Sequence, residues 1–148
     1  MYSADPSAHV FGDSLYVYPS HDRDMARGFD MEDYHVYVTG DMKTFEDRGV
    51  IFRPFEQTSW ATKNAWAPDC VERNGKYYLY YPTDVKYIGV AVADSPYGPF
   101  EDPLGHPLLT IDSPGVVSTV ISSTLACSST MTDRPTCLWA RTLAAASS

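Results

Sequence analysis

The sequence predicts an all-β fold assembled from four-stranded units, and three observations predict it. Short β-branched and aromatic runs are separated by turn signals. No stretch combines helix caps with a 3.6-residue apolar period over three turns. One set of landmarks recurs at a constant offset of 63 residues.

The elements follow in order. The run 14–18 (SLYVY) comes directly after the turn signal Gly12-Asp13 and reads as a strand. Residues 21–30 are polar and contain Gly28, and read as an inserted loop. The run 34–39 (YHVYVT) is a second strand. Residues 71–73, then Asn74-Gly75, then 76–81 (KYYLYY) read as a hairpin, because Asn-Gly suits a type I′ turn with positive φ at both central positions. The run 87–93 (YIGVAVA) is a further strand, ended by Asp94-Ser95-Pro96.

The repeat groups these strands. Ala4, Gly12, Tyr18 and Pro19 match Ala67, Gly75, Tyr81 and Pro82 at the offset of 63. Ala4-Asp5-Pro6 thereby corresponds to Ala67-Pro68-Asp69. Each copy continues into a second strand pair: Val36-Tyr37-Val38 runs toward Asp41 and Phe45, as Val90-Ala91-Val92 runs toward Asp94 and Phe100. About four strands per unit is the size of a propeller blade.

Composition narrows the function classes. The chain has 148 residues, enough for one domain with a core. Its net charge of -8 argues against a nucleic-acid partner, whose binding face is basic. No run approaches the roughly 18 apolar residues of a membrane span, so no membrane partner is expected. Residues 1–10 show neither a basic start nor an apolar h-region, so no signal peptide is visible and a cytoplasmic location is expected. Cys70, Cys127 and Cys137 form neither a disulfide framework nor a zinc spacing. The expected partner is a small uncharged molecule, with no cofactor.

The order of several pieces carries a family resemblance. Ala4-Asp5-Pro6-Ser7-Ala8-His9-Val10-Phe11, then Tyr16-Val17-Tyr18-Pro19-Ser20-His21-Asp22, resembles the opening of glycoside hydrolase family 43. So do Phe29-Asp30-Met31-Glu32-Asp33-Tyr34-His35-Val36, and Trp66-Ala67-Pro68-Asp69 followed by Asn74-Gly75-Lys76-Tyr77-Tyr78-Leu79. WAPD alone is only modestly specific; the order and spacing of all the pieces are highly so. The resemblance covers residues 2–112. It implies a five-bladed β-propeller of inverting enzymes that cleave β-xylosides and α-arabinofuranosides, with this chain similar to blades one and two and followed by an irregular or disordered tail at 113–148. A small oligosaccharide is the implied substrate.

The resemblance also assigns roles. Taken alone, Asp5 ahead of Pro6 reads as a turn cap. By resemblance it is the general base, on the innermost strand of blade one. Inverting hydrolysis pairs such a base with an acid carboxylate roughly 6.5–9.5 Å away, leaving room for a water. That acid, a Glu, and a third carboxylate that tunes it belong to later blades. Trp66 matches an aromatic wall of the sugar pocket, where an indole face stacks on a sugar ring; the other reading is a core or channel-lining Trp without a ligand. Phe29 matches a second wall residue, in balance with a purely structural role. Asp33 and His35 alternate on a strand and share one face, placed to bond sugar hydroxyls or to orient each other. Asp69 reads as a turn residue bonding backbone, and His9 as a satisfied strand residue. The run His21-Asp22-Arg23-Asp24 reads as a solvated loop, and no metal site is expected.

Residues 113–148 are a different text. All eleven Tyr precede this segment, and Trp139 is its one aromatic residue. Ser, Thr and Ala dominate without period-2 alternation, which reads as a low-complexity, irregular or disordered tail. The genetic code offers a sharper reading. Taking the third base of each codon with the next two, Met131-Thr132 encodes Asp and Trp139-Ala140 encodes Gly. With G- or C-ending codons at most other positions, the text from Ser122 becomes V-D-P-G-V-L-V-D-D-D-G. Blade three of the family opens on a motif like D-P-x-x-F-x-D-D-D-G. The tail is therefore expected to be blade three translated out of frame, with the slip near 120–122 and the fragment inactive by itself. Two rival readings are a non-catalytic carbohydrate-binding module using Trp66 and Phe29, and a pseudogene product.

Overall fold

The structure is a computed structural model and describes residues 2–25, 28, 30–114, 116, 125–128 and 136–139. Two four-stranded antiparallel sheets follow one another along the chain, each in simple sequence order. The first contains β1 (Tyr2–Phe11), β2 (Ser14–Asp22), β3 (Met31–Thr39) and β4 (Glu46–Phe52). The second contains β5 (Asp69–Arg73), β6 (Lys76–Thr83), β7 (Tyr87–Ala93) and β8 (Leu109–Thr110). Between them lies a single helical turn, α1 (Pro54–Gln57). Both sheets are the blades that the repeat predicts.

The turns carry the expected chemistry. Asn74 and Gly75 both have positive φ, 54° and 75°, and close the β5–β6 hairpin. At the β1–β2 turn Gly12 sits at φ 61°, where a Cβ would be strained.

Alternation along the strands builds one core between the blades. Tyr18, Tyr34, Val36 and Phe52 of blade one meet Cys70, Leu79, Tyr81, Ala91 and Ala93 of blade two. Three of these are fully buried tyrosines; two of them find hydrogen-bond partners, while the Tyr81 hydroxyl has none among the described residues. Tyr18 donates its hydroxyl to the Pro96 carbonyl at 2.6 Å, and Tyr34 donates to the Trp66 carbonyl at 2.8 Å. Each bond ties a strand of blade one to chain beyond it. Burial pushes the titration of Tyr18 and Tyr34 well above the ordinary phenol range, so both stay donors. Burial also raises the Cys70 thiol to about 12, which leaves it protonated and unreactive. His9 on β1 and Asp69 at the start of β5 are 2.5 Å apart and link the first strands of the two blades. Asp69 also accepts the Cys70 backbone N–H, the backbone bond expected of it.

The Tyr81 ring lies where a side chain on residue 89 would stand, so only glycine fits opposite it. Gly89→Ala is expected to force the ring out of place and lower stability by about 1–3 kcal/mol. Chemical denaturation against the parent chain measures this; an unchanged midpoint would show that the ring moves freely.

Two expectations need correction. The segment 21–30 is not wholly a loop: β2 continues through His21 and Asp22, because His21 pairs with Ser3 on one side and Asp33 on the other. Nor is the tail irregular at all of its described residues. Leu125–Ser128 (β9) and Thr136–Trp139 (β10) pair as an antiparallel two-stranded sheet. Backbone pairing can form there without the aromatic pattern of the blades, since ladder bonds are common to every sequence.

Candidate active site

Asp5 owes its position to two prolines. Neither Pro6 nor Pro19 has an N–H to give to a ladder. The β1–β2 register shifts between Ala4, paired with Ser20, and Ser7, paired with Tyr18, leaving Asp5 and Pro6 opposite Pro19 alone. This is a β-bulge, a device that re-aims side chains near functional sites. Asp5 sits in it at φ 47°, a conformation that Asp tolerates better than most residues. Its side chain leaves the ladder and is exposed.

Strand pairing sets the other residues at the same end. The start of β1 pairs with the end of β2, and the end of β2 with the start of β3. Trp66 arrives there from the β4–β5 connection. Its N–H donates to the Pro82 carbonyl, and its carbonyl accepts Tyr34, so its backbone is held by both blades. The half-buried ring packs against the core. Its indole Nε1 is buried and, among the described residues, has no hydrogen-bond partner.

Asp33 and His35 share a face, as the alternation predicts. That face points away from the core, which takes Tyr34 and Val36. Asp33 Oδ1 lies 2.7 Å from His21 Nδ1 and 3.6 Å from His35 Nε2. The His21 and His35 rings meet edge to face with centroids 4.9 Å apart. Asp33 Oδ2 faces Arg53 Nε at 3.7 Å. Arg23 pairs with Glu32 at 2.9 Å. An open cavity of about 310 Å³ beside this group is lined by Arg23, Glu32, Asp33, Arg53, Phe55 and Glu56. Phe29 lies outside the described residues.

Sequence reasoning missed His21 and Arg53. His21 was legible in principle: it alternates with Pro19 and Val17 along β2, which puts it on the face opposite Tyr18. Arg53 had no signal, because its approach to Asp33 depends on how β4 ends.

Two consecutive four-stranded antiparallel blades packed face to face, with a bulged carboxylate at one end of the first, make this a β-propeller protein, of which the chain supplies the first two of five blades. The family profile described as glycosyl hydrolases family 43 matches residues 1–118. The chain belongs to that family. It is 46% identical over 114 residues to a xylosidase/arabinosidase of Humicola insolens, a match covering 68% of this chain and 35% of the relative. A family 43 enzyme of Xanthomonas citri, solved in complex with xylotriose, superposes with a TM-score of 0.65 at 48% identity, over 72% of this chain and 33% of that one. An α-L-arabinofuranosidase of Clostridium thermocellum gives a TM-score of 0.71 at 40% identity, over 82% and 42%. The chain thus spans about a third of the length of three curated relatives it matches.

Proposed function

We propose that this chain is the opening part of an inverting glycosidase acting on xylose- or arabinose-containing saccharides, with Asp5 as its general base. The observation that carries the reading is the bulge. In the repeat, the position equivalent to Asp5 is Pro68. A blade therefore needs no carboxylate there for its own folding, yet blade one holds one in left-handed backbone and exposes it. Residues kept in sparsely populated backbone regions cluster at functional sites. In the reaction Asp5 takes a proton from water, the water oxygen bonds to the anomeric carbon, and the glycosidic bond breaks with its oxygen protonated by an acid. That acid comes from blades beyond this chain. The names of the relatives, and the xylotriose and xylose complexes of the Xanthomonas enzyme, support the saccharide class.

Residues 113–148 are, in this reading, blade three translated out of frame. The family match ends at residue 118, just before the codons 120–122 at which the shifted frame begins to spell the blade-three motif.

Trp66 stacks on the sugar through the exposed part of its half-buried ring. In the frame-restored protein, Trp66→Ala is expected to weaken xylose binding by about 1–3 kcal/mol, mostly in KM. Calorimetric titration with xylose and xylotriose checks this; unchanged affinity would assign Trp66 to the channel wall alone. The reading as a whole is tested by turnover of aryl glycosides by the frame-restored protein and its Asp5 variants.

A further inference from the structure

We infer that His21, Asp33 and His35 form a binding site for one divalent transition-metal ion on the face of blade one turned away from blade two. Each offers a ligand atom, and these atoms all lie within 4.8 Å of one another. Asp33 and His35 are buried, and His21 is mostly so. Direct cross-strand pairing of His21 with Asp33, and the two-residue step from Asp33 to His35, hold the three on one sheet face. Ligands fixed by regular strands keep their geometry better than ligands on loops.

The state of His35 points to an ion. Its Nδ1 lies 3.4 Å from the Asp47 carboxylate, an acceptor to which only a protonated Nδ1 can donate. Its Nε2 then carries a lone pair, is buried, and has no hydrogen-bond partner among the described residues. Facing it at 3.6 Å is Asp33 Oδ1, another acceptor. Two acceptors turned toward each other in a buried place repel, and a cation between them removes that cost. A carboxylate behind a histidine, fixing its tautomer and orientation, is the usual support of a metal-binding imidazole. Asp33 divides its oxygens: Oδ2 faces Arg53, while Oδ1 is left to the two imidazoles. The adjoining cavity, lined in part by Asp33, gives an ion a way in.

The donor set decides the class of ion. Two imidazoles and one carboxylate suit zinc, cobalt or nickel, whereas calcium and magnesium prefer oxygen ligands. Three protein ligands leave at least one coordination position open. His9 is engaged with Asp69, and His106 is exposed with its Nδ1 beside the Pro107 carbonyl, so neither joins the site.

Equilibrium dialysis and calorimetry of the 148-residue chain with Zn2+ and Ca2+, and visible spectroscopy with Co2+, test the site. One equivalent of Zn2+ is expected to bind, with Co2+ giving the ligand-field bands of a low-coordinate nitrogen–oxygen site. His35→Gln and Asp33→Asn should lower Zn2+ affinity at least 100-fold, and the positioning variant Asp47→Asn about 10–100-fold. His106→Gln should leave it unchanged. The inference is overturned if the chain takes up no stoichiometric Zn2+, if His35→Gln binds as the parent does, or if Ca2+ binds as tightly as Zn2+.

Discussion

A one-base correction near codons 120–122 is expected to turn an inactive chain into a glycosidase. The 148-residue chain should release no measurable phenol from aryl β-xylosides or aryl α-arabinofuranosides. In the proposed reading it holds a candidate base while the acid and most of the sugar pocket belong to later blades, and a missing general acid by itself costs about 10²–10⁴ in rate. The corrected frame is expected to restore D-P-x-x-x-x-D-D-D-G and to read on into three more blades that carry the acid. Base and acid then flank a water-sized gap, so the sugar product should form with inverted anomeric configuration, visible by NMR before mutarotation. DNA that reads cleanly to a stop after Ser148, with no D-D-D-G in a shifted frame, would end the frame reading. Turnover by the uncorrected chain that Asp5→Asn abolishes would show that the acid lies within these 148 residues. A corrected protein that binds xylotriose without cleaving it would be a carbohydrate-binding module instead.

Asp5→Asn in the corrected protein is expected to cut kcat by about 10²–10⁴, with the melting temperature unchanged. Asn is the informative replacement because of the backbone. At φ 47° an alanine is strained, whereas Asn, like Asp, tolerates left-handed backbone and keeps the side-chain volume. Asp5→Gly makes the complementary test. It removes the carboxylate while favouring the observed φ, so activity should fall equally and stability should hold or rise slightly. Loss of activity that tracks loss of stability across Asn, Gly and Ala would make Asp5 a structural turn residue. Near-normal turnover in Asp5→Asn would remove it from the base role altogether.

Much of the fold was legible because its signals are local. Asn74-Gly75 can be placed in a hairpin turn from two residues, and the structure gives both the positive φ that the turn requires. The alternation of Asp33 and His35 around Tyr34 fixed which of them share a face. β4 was harder to see, since it opens with Glu46, Asp47 and Arg48, which are exposed, and only Ile51 and Phe52 are buried. The end of β2 was misread for a related reason. A polar run looks solvated until neighbouring strands are known to lie on both sides of it.

The sequence alone determined the blades, their repeat, the family and the identity of the candidate base. All of these rest on residue type and spacing, which survive in a linear text. Only the tertiary structure decided how those residues meet. The bulge at Asp5 follows from Pro6 and Pro19 standing opposite each other, a coincidence of register between two strands. His9 finds Asp69 across the first strands of two blades, 60 residues apart. His21, Asp33 and His35 converge because β2 and β3 pair in one register, and a shift by a single residue would send their side chains to opposite faces. Register is set by the packing of the whole sheet, so a site built across strands becomes visible only when the sheet is in place.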